Sequence, residues 1–110
     1  MLELTMESAQ TGSTWRLRGA LTGPSCETLR TASRRLLAGR DLVVDCRDVV
    51  DLDRPGFAAL VAAVARARRL GGSVRLRCTP ALADLARREG VDRLAHLVPA
   101  SSRGPGVPIR

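Results

Sequence analysis

The sequence predicts an α/β fold: a mixed sheet of about four to five strands, an antiparallel pair at one edge followed by parallel strands, with helices packed on it. Two kinds of period point there. From Met1 to Gly19 apolar and polar residues alternate around a polar break, the pattern of two strands with one wet face. Beyond Gly23, segments of helical period alternate with strand-length apolar runs, and crossovers of that length oblige the strands they join to run parallel. Between one such run and its helix lies the most informative stretch of the chain, Asp51-Leu52-Asp53-Arg54-Pro55-Gly56.

Each element has its own warrant. Leu2, Leu4 and Met6 alternate with Glu3, Thr5 and Glu7, which places the first strand over Met1 to Met6. Ala9 to Thr14 reads as a polar turn, and Trp15, Leu17 and Gly19, alternating with Arg16 and Arg18, form a second strand paired with the first as a hairpin. Pro24, Ser25 and Glu27 suit the first turn of a helix whose buried stripe is Leu29, Ala32, Ser33, Leu36 and Leu37, ending at Gly39. Leu42, Val43 and Val44, closing at Asp45, read as a strand buried on both faces. The breakers from Asp51 to Gly56 predict a turn, after which Phe57, Leu60, Val61 and Val64 fall on one helix face up to Arg66, Arg68, Arg69 and the Gly71-Gly72 stop. Val74, Leu76 and Cys78 alternate with Arg75 and Arg77 as a further strand. Thr79-Pro80 then opens a helix with Leu82, Leu85 and Ala86 inward, stopping at Gly90. Val91, Leu94, Leu97 and Val98 provide a short last strand or packing segment, with His96 expected to be partly buried near them. Residues 1–98 form one domain on this reading, and 99–110, rich in Pro, Gly, Ser and Arg, are expected to be a disordered tail.

Composition narrows the function. The 110 residues carry 18 Lys+Arg, all of them Arg, against 11 Asp+Glu, a net +7 that favours anionic partners. Trp15 and Phe57 are the only aromatics, so the stacking platform of a nucleic-acid binder is missing, and charge alone does not predict specific nucleic-acid recognition. Cys26, Cys46 and Cys78 lack metal or redox spacing and read as reduced thiols in a cytoplasmic protein. The longest apolar stretch, Phe57 to Ala65, is far short of the roughly 20 residues that span a bilayer, and no leader is visible. No glycine-rich phosphate cradle, metal-ligand spacing or nucleophile-base set appears, which predicts a non-enzyme without cofactors.

The stretch around Asp53 resembles the STAS domain, the family of bacterial anti-sigma factor antagonists and of domains attached to anion transporters. Family members place Asp-Ser-Ser/Thr-Gly at a helix start after a buried strand, then a Leu-rich helix, Gly-Gly and a strand. Asp53 and Gly56 match the ends of that motif, Arg54 stands at the position of the phosphorylatable Ser, and Pro55 at the next. Gly19-Ala20-Leu21-Thr22 stands where Gly-Glu-Leu/Ile-Asp is common, so Thr22 replaces the usual acidic neighbour. With Gly90-Val91-Asp92-Arg93-Leu94 near the end, the resemblance covers about residues 12–98 and implies a STAS-like fold.

The resemblance also implies a function. In the family, an ATP-binding anti-sigma factor of the serine-kinase fold phosphorylates the Ser, and the unphosphorylated form binds that factor. Arg54 has no hydroxyl, so the expectation is binding without the phosphorylation switch, through Asp51, Asp53, Arg54, Pro55, Gly56 and Phe57, with Thr22 and Ser25 nearby. Asp53 has a structural reason to exist as a helix cap. The alternative implied by the same family is a scaffold or accessory subunit of a transporter or lipid-trafficking complex. Homodimerisation stays open.

Overall fold

A computed structural model of the chain describes residues 1–99. Eight main elements follow one another: β1 (Leu2–Ser8), β2 (Gly12–Leu21), α1 (Cys26–Arg34), β3 (Asp41–Leu52), α2 (Arg54–Arg69), β4 (Val74–Cys78), α3 (Pro80–Arg88) and β5 (His96–Pro99), with short 3-10 turns at Gly23–Ser25 and Val91–Arg93. The strands form one sheet in the order β1-β2-β3-β4-β5. β1 and β2 pair antiparallel, and every later pair is parallel. The mixed sheet with helices is the architecture the sequence predicts.

Each crossover advances one strand in the same direction across the sheet. Right-handed connections of that kind place all the crossover helices on one face. Leu29 of α1, Leu60 and Val64 of α2 and Leu82 of α3 accordingly join Trp15, Leu17, Val44 and Leu76 of the sheet in one aliphatic core. The opposite face is left to charged side chains: Glu3, Arg16, Arg18, Asp48 and Arg75 are all exposed.

β3 differs most from expectation. It runs to Leu52 and does not close at Asp45. Against β2 its register slips twice, so that Arg16 and Arg18 face Asp45 and Asp48, while Gly19 and Ala20 face Val49 and Asp51. These β-bulges insert residues that break period two, and the buried set of β3 becomes Leu42, Val44, Cys46, Val49 and Leu52. Alternation hides such a strand. The turn expected over Asp51 to Gly56 therefore shrinks to Asp53 alone, because α2 starts at Arg54. Pro55 fits within the first helical turn, where its missing N–H would have no partner anyway.

Further expectations are corrected at the end of α1 and around the last strand. α1 ends at Arg34, well before Gly39, because Arg35 and Leu36 donate to the Ala32 and Ser33 carbonyls and tighten the last turn. Leu37 is consequently 62% exposed instead of buried, while Leu36 packs against the core. Val91 and Leu94 lie in and after a 3-10 turn, and His96 is exposed at the start of β5. β5 extends to Pro99, paired with Cys78, one residue past the expected domain boundary. The tail expected beyond it, residues 100–110, lies outside the described residues.

Asp45 is the one buried carboxylate among the described residues, 7% exposed. Arg47 grips it as a fork, with Nε on Oδ1 at 2.9 Å and a terminal nitrogen on Oδ2 at 2.8 Å, and its backbone N–H adds a third bond. The Arg47 hydrogen bonds hold the carboxyl below its ordinary value against the opposing effect of burial. A depressed folded-state pKa contributes stability above the unfolded value, which is lost as pH falls through the folded one. Arg47→Gln is therefore expected to cost about 1 kcal/mol at neutral pH, since the guanidinium is half exposed. That difference should close as pH falls through the lowered folded-state value of Asp45, beneath the ordinary carboxylate range, as urea denaturation at several pH values will show. A gap independent of pH would overturn the assignment.

Candidate functional site

The carboxyl ends of β2 and β3 deliver two segments to one rim: the turn at Gly23–Ser25 and the start of α2. Asp53 ties them together. Its backbone is extended, and its side chain caps α2 by accepting the Gly56 N–H on Oδ1 at 2.8 Å. Oδ2 reaches back to accept the Gly23 N–H at 3.0 Å. The two halves of the rim are thus joined through one carboxylate.

Gly56 permits their close approach. A Cβ at this position would lie 1.9 Å from the Leu21 carbonyl oxygen, so only glycine lets the first turn of α2 lie against the end of β2. Beneath the rim, the Ser25 hydroxyl donates to the Ala20 carbonyl at 2.7 Å and is buried. The Cys26 thiol, partly exposed, donates to the Pro55 carbonyl at 3.3 Å and lies 3.7 Å from that of Thr22. One sulfur thereby bridges the two segments.

The predicted site residues divide by depth. Arg54 and Pro55 are exposed on the first turn of α2, while Thr22, Asp51, Asp53 and Phe57 are partly exposed around them. Gly56 and Ser25 are buried and shape the rim from below without presenting a side chain to a partner. Phe57 spends its ring against the core. No acidic residue lies in the first turn of α2, so the guanidinium of Arg54 adds to the positive end of the helix dipole. Arg54 thus brings a positive charge to the rim beside the carboxylates of Asp51 and Asp53.

A groove of about 400 Å³ runs from this rim between α1 and α2, lined by Cys26, Leu29, Arg30 and Ser33 on one side and Pro55, Ala58, Ala59, Ala62 and Ala63 on the other. Sequence reading missed the groove, Gly23 and Cys26. Small alanines at helical spacing facing a second helix were the available signal; spacing rules for cysteines ask only about other cysteines.

Little reactive chemistry is present. Burial pushes the Cys46 thiol well above its ordinary value and that of Cys78 up to about 11, so neither supplies a thiolate near neutral pH. Among the described residues no group of three or more His, Cys, Asp or Glu side chains could hold a metal ion. No described helix is long and apolar enough to cross a membrane.

A family model described as "Mlab, STAS domain" matches residues 5–99. The chain belongs to the STAS domain family. A solved structure agrees: the antisigma-factor antagonist STAS domain from Rhodobacter sphaeroides is similar with a TM-score of 0.59 and 28% identity, over 68% of this chain and 84% of that one. No curated protein matches the chain. In this STAS domain the strand-to-helix junction at Asp53 is the rim just described.

Proposed function

We propose that this STAS domain is a non-catalytic protein-binding module of the anti-sigma factor antagonist kind, docking on a kinase-fold anti-sigma factor through residues 51–57 with Thr22 beside them. The observation that carries the reading is the exposed guanidinium of Arg54 on the first turn of α2, which the motif resemblance aligns with the family's phosphorylatable Ser. The similar solved structure is titled an antisigma-factor antagonist, which supports this kind of partner. Arg54 cannot accept a phosphoryl group, and the Ser25 hydroxyl is buried and committed to Ala20. The rim binds without the charge switch that a phosphoserine would supply. Facing an ATP-bound partner, the planar guanidinium pairs bidentately with the nucleotide phosphates.

Titration of such an anti-sigma factor with wild type and Arg54→Ala, each with and without ATP, tests this. ATP should tighten wild-type binding about tenfold, the worth of one charge-assisted contact, and leave Arg54→Ala unaffected. Equal affinities in all four arms exclude phosphate pairing; no binding in any arm removes the anti-sigma factor reading. The family's other role, as an accessory subunit of a transporter or lipid-trafficking complex, is favoured by the same missing hydroxyl. Recovery of the protein with a membrane complex and no kinase-fold partner would support it.

A further inference from the structure

The arginine excess is concentrated on the helical side of the molecule. Thr28 to Arg40 contains four arginines and no acidic residue, and Arg54 to Gly72 contains four and none. The fold brings the carboxyl ends of α1 and α2 together at the pole opposite the rim. Gly39 N–H donates to the Leu70 carbonyl at 2.7 Å, and Arg66 Nε donates to the Ser33 carbonyl at 2.9 Å, binding the loop after α1 to the end of α2. Arg35, Arg68 and Arg69 are exposed there, as is Arg34, which pairs with Glu27 at 3.7 Å. Helix dipoles account for cations at two carboxyl ends. They do not account for Leu37, which stands 62% exposed in the same loop, beside exposed Ala38 and between Arg35 and Arg40.

We propose that this pole binds an anionic phospholipid surface, with the arginines on headgroup phosphates and Leu37 inserted among the acyl chains. Exposed cations at the same pole as an exposed aliphatic side chain match a surface that is anionic outside and apolar beneath. Nucleic acid matches the charge but offers nothing to Leu37, and no aromatic side chain is present at the pole to stack on bases. The 16 residues of α2 separate the pole from Arg54 by about 24 Å, so both ends can be occupied at once. The inference stands apart from the identity of the partner at the rim.

The full chain is to be co-sedimented with vesicles of phosphatidylcholine alone and of phosphatidylcholine mixed with phosphatidylglycerol. Binding is expected only with the anionic lipid. Arg68→Gln with Arg69→Gln should weaken it about 30-fold, about fivefold for each arginine near the surface. Leu37→Ser, which leaves the net charge unchanged, should weaken it about fivefold. Unaltered thermal unfolding of the variants excludes a folding defect. Wild-type binding by Leu37→Ser, no binding to anionic vesicles, equal binding to neutral ones, or tighter binding to duplex DNA at equal phosphate concentration overturns the proposal.

Discussion

Gly56→Ala is expected to cost about 3 kcal/mol or more, a large part of the roughly 5–15 kcal/mol that holds a domain of this kind together. The added methyl would begin 1.9 Å from the Leu21 carbonyl oxygen and 2.5 Å from its carbon, and both are backbone atoms that no rotamer change can move. The backbone cannot easily retreat either. Asp53 N–H donates to that same Leu21 carbonyl, Phe57 N–H to the Asp53 carbonyl, and the Asp53 carboxylate fixes both sides of the junction. Separating α2 from β2 would strip Leu60 and Val64 from the core beneath. Gly23→Ala is the matched control. Its Cβ would meet Pro55 at 3.8 Å and Asp53 at 4.0 Å, ordinary contact, and should change stability by no more than about 0.5 kcal/mol. Trp15, fully buried and the only tryptophan, reports both variants by fluorescence in urea. Equal midpoints for the two would show that the junction relaxes freely and that Gly56 has no packing role.

The same junction shows what the sequence could reveal. Gly71-Gly72, Thr79-Pro80 and Gly90 are local punctuation, and each marks a real boundary because turn and cap geometry depends on a few neighbouring residues. Thr79 caps α3 by accepting the Leu82 N–H, and Gly90 adopts φ 77°, which a side chain would resist. Strand order was legible through the crossovers, whose handedness leaves little freedom. β3 was not. Its bulges put buried Val49 out of step with Leu42 and Val44 and return Leu52 to step only after a gap of three, so a reader of period two stops where the strand does not. Leu36-Leu37 misled in the opposite way: both fit the stripe of α1, yet the helix had already closed on Arg66 of another element. The Arg66 bond to the Ser33 carbonyl joins the local bonds of Arg35 and Leu36 at that last turn, and no window of local sequence contains it.

Legibility of the site followed the same division. That Asp53, Arg54 and Pro55 share a helix start is local, and the rim is where the strand-turn-helix pattern puts it. That Cys26 and Gly23 meet them, from about 30 positions earlier in the chain, depends on β2 and β3 lying side by side. Nor could composition distinguish Arg54, exposed at the rim, from Arg66, turned onto a helix end.

Asp53→Ala is expected to destabilise the fold by about 2 to 3 kcal/mol, because it removes the acceptor of two backbone amides. Asp53→Asn makes the test specific. An amide keeps one oxygen, which can cap Gly56 at the helix start or accept from Gly23, while its nitrogen can only donate and must face the remaining N–H. About half the loss should therefore return with Asn, and the same urea titration of Trp15 fluorescence measures it. The result bears directly on the rim. If Asp53 were there to meet a partner, Ala would leave stability unchanged and lower affinity alone. If it is the tie between the turn at Gly23 and the start of α2, stability falls first, and Arg54 loses the rigid first turn that carries it. An alanine variant as stable as wild type would break that chain at its first link, since nothing else described here joins the two segments through a charge.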